Sequence, residues 1–300
     1  MYSLTEEETK VCYTQALMQC LFQAEITDSP QAIYVVAQPG AGKSGVIARE
    51  ANILNDKNEK YVELSADKIA TYHKYYADVV KLLPNDCYKI TREFTKPALE
   101  SLNKEMEKIN TNIISETTFS KVEKLKSEFS RKKEHGYNMQ VDLLAVDKYE
   151  SLISCQERDL ALVKKGLQPR GVYRGNHDRV YNNMLDNVEE IYTKGYISRV
   201  NVYRRGEEEN NPEVIASIGE NANFLDIRKK IEEERKRQRE ELFANKEEYI
   251  TRINKTKEEM QKYMQNPVLL DNAITDLNNL EEEFIKEVKE YELQREEYTR

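Results

Sequence analysis

The amino-acid sequence predicts an α/β fold in which helices flank a parallel sheet and an all-α helical hairpin or coiled-coil tail follows. Strand-like apolar runs alternate with helical patterns over roughly the first 200 residues, which is typical of a parallel sheet covered on both faces. The first run leads into a glycine-rich loop that opens a helix. Beyond residue 206 the chain is nearly half charged and has scarcely any glycine, as surface helices do.

The predicted elements follow in chain order. An acidic start and apolar residues at helical spacing predict a first helix over 5–25. Apolar, β-rich runs predict strands at 32–37, 61–64, 112–115 and 139–146. After a polar break at 207–212, we expect one helix over 223–265 and another beyond Asn266-Pro267, with an apolar seam at Ile274, Leu277, Phe284, Val288, Tyr291 and Tyr298. The chain should therefore have two units, residues 1–206 and residues 207–300.

The composition excludes some classes of function. Of the 300 residues, 39% are hydrophobic and 33% are charged, with a formal net charge of -8. A protein that neutralises many phosphates needs a basic face, so we expect no nucleic-acid partner. The basic stretches 131–133 and 235–239 lie in glutamate-rich helical sequence, where intrahelical ion pairing is the usual explanation.

The cysteines and the apolar runs indicate the compartment. Cys12, Cys20, Cys87 and Cys155 have neither CxxC nor zinc-ligand spacing, so we expect reduced thiols rather than disulfides or a metal site. The N-terminus is acidic and polar, and no run approaches the roughly 18 apolar residues that span a bilayer. We therefore expect a cytoplasmic protein without a membrane partner.

The glycine-rich loop has the spacing of a phosphate-binding loop. Gly42, Lys43 and Ser44 match the P-loop pattern, although Ala37 stands where that pattern has its first glycine. Glycines let backbone amides turn toward phosphates, the lysine reaches the β- and γ-phosphates, and the serine hydroxyl suits magnesium. A glycine-rich turn before a helix is the alternative. We predict a P-loop NTPase-type domain that binds ATP, or GTP, with Mg²⁺ at Ser44 and the nucleotide at Gln38, Pro39, Gly40, Ala41, Gly42, Lys43, Ser44 and Gly45.

A carboxylate after the second predicted strand is a candidate catalytic group. Asp67 would lie beside the phosphate loop in a parallel sheet, where it can accept the proton of an acceptor hydroxyl. The alternative is an N-cap for a helix that begins at Lys68. No NKxD-type base-reading motif follows a strand, and no acidic run stands where an ATPase would hold its hydrolytic water. A kinase is therefore favoured over a GTPase or a motor ATPase.

Further residues match one known pattern in chain order: Ser29-Pro30, the loop from Gln38 to Ser44, Asp67, Glu100, Glu116-Thr117-Thr118, Arg158, Arg170 and His177-Asp178. They resemble the zeta toxin family, over residues 3–204. The resemblance implies that Asp67 is the catalytic base and that Arg158 and Arg170 are lid arginines that clamp the phosphates with Lys43. It also implies an acceptor site at Glu100, Glu116, Thr118 and Ser120.

The resemblance implies an activity and a partner as well. Members of the family transfer the γ-phosphate of ATP to the 3-hydroxyl of the amino sugar of UDP-N-acetylglucosamine, which blocks cell-wall precursor synthesis. A small helical antitoxin holds them inactive. Phosphoryl transfer needs positioning and neutralised charge more than covalent chemistry, and Lys43, the two lid arginines and magnesium would supply both.

Two departures from the family pattern leave the acceptor open. Thr117 replaces a glycine, and Ser120 stands where the family often has an arginine. Loss of a fixed positive charge weakens recognition of a diphosphate, so an antibiotic or a nucleoside is the alternative acceptor. Without the resemblance, Arg158 and Arg170 would be interpreted as surface arginines and Glu100 as a solvated helix charge.

A scaffold that acts through its tail, with the P-loop as a nucleotide switch, is the alternative outside the kinases. Activity in a truncated chain that ends near Arg205 would count against it. The tail itself has three candidate roles, which are pairing within the chain, self-association and a surface for a partner.

Overall fold

The computed structural model describes residues 2–83, 86–120, 122–167, 169, 171, 174–206 and 211–299. Its helices are α1 (Glu6–Gln23), α2 (Lys43–Asp56), α3 (Ala66–Ala70), α4 (Tyr76–Leu82), α5 (Cys87–Ile109), α6 (Val122–Glu134), α7 (Lys148–Lys164), α8 (Arg174–Thr193), α9 (Phe224–Ala244), α10 (Lys246–Tyr263) and α11 (Pro267–Thr299). Its strands are β1 (Gln31–Val36), β2 (Tyr61–Leu64), β3 (Asn112–Thr117), β4 (Asn138–Leu144), β5 (Arg199–Arg204) and β6 (Glu213–Gly219).

The strands form a six-stranded sheet in the order β2-β3-β1-β4-β5-β6. The pairs among the first five strands are parallel, and β6 runs antiparallel to β5. In the register of β1, Val35 lies opposite Glu116 of β3 and Asp142 of β4. The carboxyl ends of the parallel strands therefore share one edge, where ligand sites form in such sheets. The predicted α/β fold with a parallel sheet is confirmed.

Local signals account for many of the elements. Thr5 caps α1 in a capping box, because its amide donates to Glu8 Oε2 at 2.9 Å and its hydroxyl accepts from the Glu8 amide at 3.2 Å. Strands β1 to β4 correspond to the four predicted strands. Strands β5 and β6 are additional to them. β6 lies at the sheet edge with its side chains partly exposed. It lies after the polar break at 207–212, in the part of the chain where only helices were predicted.

Helices cover both faces of the sheet. Residues of α1, α5, α6, α8 and α9 pack on one face, and α2 packs on the other. Val46, Ala51 and Leu54 of α2 are buried there. Full burial of a valine or leucine side chain stabilises a fold by about 1.5–3 kcal/mol. The apolar face of α2 therefore fixes how the helix lies against the sheet and, with it, where the preceding loop lies.

Three helices rather than two follow the sheet. Asn245 separates α9 from α10, so the predicted helix over 223–265 is divided. Helices α10 and α11 pack in a second core with α7 and with Phe243 near the end of α9, while the first half of α9 joins the core of the sheet. The buried residues of α11 are Leu269, Ala273, Leu277, Leu280, Phe284 and Val288, so Ala273 rather than the predicted Ile274 is buried. The tail seam is thus covered within the chain, and the division of the chain at 206/207 stays a prediction.

Basic side chains in the two charged stretches contact carboxylates. Lys132 is fully buried, and its Nζ lies 2.9 Å from Glu107 Oε1 on α5. Arg239 lies 2.7 Å from Asp147 Oδ2 at the start of α7. Partners on other helices thus supplement the predicted intrahelical pairing. Among the helices of the described ranges, none is both long enough and apolar enough to cross a membrane.

Candidate functional site

The loop between β1 and α2 has the shape that phosphate binding requires. Gly40 and Gly42 have φ angles of +77° and +94°, in the left-handed region that glycine adopts readily. Gly42 is the N-cap of α2, and as a glycine it has no side chain that could bind the amides of the first turn. Apart from the amide of Gly45, which donates to Gly42 O at 3.1 Å, the first amides of the helix are therefore available to an anion, which the helix dipole also attracts.

A close approach to α7 explains why residue 40 is glycine. A Cβ at this position would overlap the main-chain oxygen of Ser151 and lie 2.6 Å from Cys155 Sγ. Any side chain at this position would therefore push the loop away from α7. Ala37, the departure from the P-loop pattern, is fully buried in the core on the α2 face, so its methyl group is packed there.

The Gln38 side chain holds the loop from inside. It is fully buried, and Nε2 donates to Val146 O at 3.0 Å and to Ser151 Oγ at 3.2 Å. Ser151 Oγ lies 2.9 Å from His177 Nε2, and His177 Nδ1 lies 2.9 Å from Asp178 Oδ1. Burial lowers the pKa of His177, which favours the neutral imidazole. Gln38, predicted to bind nucleotide, therefore positions the loop with its side chain, and His177 supports it.

Lys43 lies within the loop next to an acidic side chain. Its Nζ donates to the carbonyl oxygens of Ala37 and Gln38, each at 3.2 Å, and lies 3.4 Å from Glu116 Oε1. Strand pairing brings Glu116 to this point, because β3 is adjacent to β1. A lysine ammonium has three donors, so phosphate oxygens are able to replace the carbonyls. The structure thus brings two predicted site residues into contact.

The residues around this pair fit a magnesium ion bound together with phosphates. Ser44 is in the first turn of α2, next to Lys43. Its hydroxyl and the Glu116 carboxylate are oxygen donors of the kind that Mg²⁺ prefers. In the part of the chain that the structure describes, no group of three or more His, Cys, Asp or Glu side chains forms a metal site. Phosphate oxygens and water would therefore complete the coordination.

Asp67 lies at the same edge of the sheet, in the first turn of α3 after β2. Since β3 lies between β2 and β1, and neighbouring strands are about 4.8 Å apart, roughly 10 Å separates the ends of β2 and β1. The N-cap of α3 is Ser65, whose Oγ accepts from the Lys68 amide at 3.3 Å. The alternative that Asp67 is the N-cap is therefore wrong. Asp67 thus follows a strand two positions from β1, at the edge of the sheet that carries the loop.

The turn after β3 presents two hydroxyl groups. Phe119 has a φ angle of +51° and a fully buried ring. This conformation costs about 1–2 kcal/mol for a residue with a Cβ. Burial of the ring and the hydrogen bond from Asn187 Nδ2 to Phe119 O, at 2.8 Å, hold it in place. As a result Thr118 and Ser120 lie together, with Thr118 Oγ1 donating to Ser120 Oγ at 3.2 Å.

Glu100 has a different neighbour. It lies on α5 and forms an ion pair with Lys124 of α6, with 41% of the Glu100 side chain and 43% of the Lys124 side chain exposed. This arrangement resembles that of a solvated helix charge. A role for Glu100 in acceptor binding would require it to exchange this partner, so that role stays a prediction.

Cations gather around a buried thiol beneath the loop. Burial raises the pKa of Cys155 to about 11, and the positive charges of Arg158, Lys43 and Arg205 oppose that rise. The thiol lies beside the loop, because a Cβ on Gly40 would be 2.6 Å from Cys155 Sγ. Arg158, one of the predicted lid arginines, follows Cys155 by three residues on α7 and thus lies about one helical turn from the loop.

The segment between α7 and α8 is attached to α7 through a carboxylate. Asp159 Oδ1 lies 3.2 Å from Arg158 Nη2, and its Oδ2 accepts from the Gly171 amide at 2.9 Å. Asp159 therefore links Arg158 to this connecting segment. Arg170, the second predicted lid arginine, lies outside the described residues.

Arg205 belongs to the site although no motif indicates it. Its Nε donates to Ala41 O at 3.2 Å, its Nη2 donates to Gly40 O, and its Nη1 donates to Glu150 Oε1 at 2.8 Å. It directly follows β5, whose carboxyl end lies at the edge of the sheet that holds the phosphate loop. The alternation in Arg-Val-Asn-Val-Tyr-Arg is the signal that would have identified β5 and hence Arg205.

The chain is similar to known proteins over about two thirds of its length. The family model described as Zeta toxin matches residues 15–211. Toxin PezT of Streptococcus pneumoniae serotype 4 (strain ATCC BAA-334 / TIGR4) is 23% identical over 203 residues, which are 67% of this chain and 79% of PezT. The residues that the family model matches thus include every element from β1 to β5.

Solved structures share the fold. One, from the study of the PezAT chromosomal toxin-antitoxin system of Streptococcus pneumoniae, covers 78% of this chain and 99% of its own, with a TM-score of 0.62 and 20% identity. Another, AvrRxo1-ORF1:-ORF2 with ATP, covers 92% of this chain and 89% of its own, with a TM-score of 0.55 and 13% identity. At these identities the structural likeness concerns the fold. The match of the family model over 15–211 and the phosphate loop within it lead to one conclusion: the chain belongs to the zeta toxin family.

Proposed function

We propose that this protein is a kinase that transfers the γ-phosphate of ATP, or of GTP, to the 3-hydroxyl of the amino sugar of UDP-N-acetylglucosamine. The observation that carries the proposal is the carboxyl edge of the sheet. There Lys43 of the phosphate loop contacts Glu116 of β3, and Asp67 follows β2, which is two strands from β1. Phosphoryl transfer to a hydroxyl needs such an arrangement, with cations for the phosphates and a base for the acceptor.

At the phosphate end, Lys43 would exchange its two carbonyl partners for oxygens of the β- and γ-phosphates. Arg158, which lies near the same buried thiol as Lys43, would add a second positive charge, and Arg170 a third. Ser44 and Glu116 would hold Mg²⁺, which when bound neutralises charge on the phosphate oxygens. These charges act where negative charge spreads over the transferred group.

At the acceptor end, Asp67 would take the proton of the hydroxyl whose oxygen attacks the γ-phosphorus. The bond from that phosphorus to the bridging oxygen breaks, so the products are ADP and a phosphorylated sugar nucleotide. Thr118, Ser120 and Glu116 would form hydrogen bonds to the acceptor. Glu100 would join them after leaving Lys124.

A protein partner is the second part of the proposal. The relatives include a toxin, PezT, and a structure from a toxin-antitoxin system. We infer that this chain also acts as a toxin and that a small helical antitoxin protein holds it inactive. Its substrate would place it in the cytoplasm.

Transfer of label from [γ-³²P]ATP to UDP-N-acetylglucosamine in the presence of Mg²⁺ tests the proposal. We expect no transfer by Lys43→Ala. General-base catalysis contributes roughly 10²–10⁴-fold, so Asp67→Asn should lose about that factor in kcat while it still binds ATP. Asp28→Asn is the matched control, because Asp28 is exposed and precedes β1, at the opposite edge of the sheet.

Two outcomes would count against parts of the proposal. Bound ATP without label on the sugar nucleotide would reject this acceptor, and a screen of antibiotics and nucleosides should follow, given Thr117 and Ser120. Equal rates for Asp67→Asn and Asp28→Asn would reject Asp67 as the base while leaving the kinase reaction intact.

A further inference from the structure

A cavity of about 340 Å³ lies next to the phosphate loop, between α7 and the first part of the tail. Its volume falls in the range of roughly 300–1,000 Å³ that is usual for small-molecule sites. Residues from both parts of the chain line it, among them Glu150, Arg205, Leu242, Asn245, Tyr249 and Arg252. The residues from 242 onward lie beyond the segment 15–211 that the family model matches, so no role follows for them from the family.

Arg205 connects the cavity to the loop. The same guanidinium that lines the cavity donates to the carbonyl oxygens of Gly40 and Ala41. Two hydrogen bonds to Glu150 hold the wall of the cavity beside the loop in place. Glu150 accepts from Arg205 at 2.8 Å and from Arg252 Nη1 of α10 at 2.7 Å. Arg205 therefore forms a boundary that the cavity shares with the phosphate loop.

The order of the strands indicates which part of a nucleotide would enter the cavity. Asp67 follows β2 and Glu116 lies at the end of β3, so the acceptor side of the site is the β2–β3 side of β1. Arg205 follows β5, on the other side of β1. In phosphoryl transfer the attacking and leaving oxygens are roughly in line, so the leaving diphosphate and its nucleoside extend away from the acceptor. This direction leads from the loop toward the cavity.

The chemistry of the cavity suits an uncharged heteroaromatic group rather than a further phosphate. Three arginines and three glutamates balance in its lining, so the cavity does not concentrate one sign of charge. Leu242 and Tyr249 offer apolar contact, and Asn245 offers both a donor and an acceptor. A nucleobase and its ribose need this combination of apolar surface and mixed hydrogen-bonding groups.

We propose that this cavity binds the base and ribose of the phosphoryl donor, so that helices α9 and α10 of the tail form half of the nucleotide site. The proposal rests on the function proposed above, in which the loop binds a nucleoside triphosphate. It makes Arg205 and Arg252 positioning residues, because they hold the wall between the loop and the cavity. The tail thereby determines how tightly the donor nucleotide binds.

Titration calorimetry with two probes, ATP and inorganic tripolyphosphate, tests this with the full chain. Leu242→Trp fills the cavity, so it should raise the Kd for ATP by about tenfold or more, while the Kd for tripolyphosphate stays within about twofold. Leu225→Trp is the matched control, because Leu225 is also on α9 and is 43% exposed. It should change neither Kd. Lys43→Ala should weaken both probes.

The outcomes separate this inference from the proposed function. If Leu242→Trp binds ATP as tightly as the native chain does, or loses both probes equally while folded, the nucleoside lies elsewhere and the inference is overturned. If the native chain binds neither probe, the proposed function fails first. Should Leu242→Trp not fold, Leu242→Ala gives the same comparison, with loss of ATP affinity expected and unchanged tripolyphosphate affinity.

Discussion

At the scale of single residues, two buried carboxylates lie between the sheet and α2. Asp142 of β4 is fully buried and accepts from Gln140 Nε2 at 3.0 Å and from Asn201 Nδ2 at 2.8 Å. Glu50 of α2 accepts from Tyr203 OH at 2.6 Å. Burial, and after it the charge of Glu50, raise the pKa of Asp142 to about 8. Burial and the nearby Glu50 carboxylate therefore favour the protonated form of Asp142.

We predict that Asp142→Asn makes the free energy of unfolding less dependent on pH. The folded chain holds a proton on Asp142 that the unfolded chain releases above about pH 4. The contribution of this group to stability is therefore greatest on the acid side and falls as pH rises from about 4 to 8, by up to about 1.4 kcal/mol per unit. Asparagine does not ionise, so the variant should gain stability relative to the native protein as pH rises. Urea unfolding across this range measures the difference.

An exposed carboxylate is the control for this measurement. Asp28→Asn removes a charge of the same type at an exposed position, and it should leave the pH dependence of unfolding as it is in the native chain. A pH dependence in Asp142→Asn equal to that of the native protein would mean that Asp142 is ionised in the fold.

At the scale of elements, α7 joins the phosphate loop to the tail. Ser151 faces the loop at Gly40, while Tyr149 and Ile153 pack in the core that α7 shares with α10 and α11. Glu150, between them, accepts from Arg252 of α10. One helix therefore supports the nucleotide site on one side and the tail on the other, so a shift of α7 reaches both.

We predict that Gly40→Ala disrupts nucleotide binding as well as stability. A methyl group at this position overlaps Ser151 O, and main-chain atoms on both sides have little freedom to move. The loop would leave α7, and its amides would no longer converge on the phosphates. We expect loss of measurable ATP binding by calorimetry, and a fall in the urea midpoint.

Gly136→Ala separates the close approach from backbone strain. Gly136 has a φ angle of +76°, almost that of Gly40, but nothing lies within 4 Å of the Cβ position. The left-handed conformation alone costs about 1–2 kcal/mol, so this variant should lose that much stability and bind ATP normally. Similar effects of the two substitutions on ATP binding would contradict the role given to the contact with Ser151.

At the scale of the whole molecule, the tail is part of the fold rather than an appendage. Strand β6 extends the sheet, α9 packs on its core, and α10 and α11 cover α7. The apolar seam of α11, for which pairing within the chain is one of the three candidate roles, is thereby largely buried within the chain. A truncated chain that ends near Arg205 would lose all of this cover, so it does not discriminate between a kinase and a scaffold.

We predict that residues 1–206 alone do not fold stably. The truncation uncovers Tyr149, Leu152, Ile153 and Leu160 of α7. Each large apolar side chain contributes about 1.5–3 kcal/mol when buried, so the loss is comparable with the roughly 5–15 kcal/mol stability of a typical domain. Urea unfolding of the truncated chain should lack a cooperative transition, whereas the full chain should show one. Residues 211–300 supplied as a separate chain should restore it.

The opposite result has a clear meaning. If residues 1–206 unfold cooperatively and bind ATP like the full chain, the predicted division at 206/207 is a true domain boundary. The tail would then make no contribution to the nucleotide site.

The sequence by itself determined those elements and sites that are formed by residues close together in the chain. Strand β1, the glycine-rich loop and α2 are consecutive, so their composition and spacing predicted both the elements and the phosphate site between them. The capping box of α1 and the runs of β2 to β4 are local in the same way. The order of motifs that resemble the zeta toxin family added candidates, among them Arg158 and Glu100, that alternation and burial alone would not have singled out.

Only the tertiary structure decided which surfaces cover one another, because those contacts join residues far apart in the chain. Arg205 contacts Gly40, which is 165 positions earlier in the chain, and no local sequence pattern predicts that contact. The periodicity of α11 showed that it has an apolar face, but not that α7 and α10 cover it. A hydrophobic pattern states only that a surface must be buried, since apolar burial is non-directional. The partner is chosen by the packing of the whole chain.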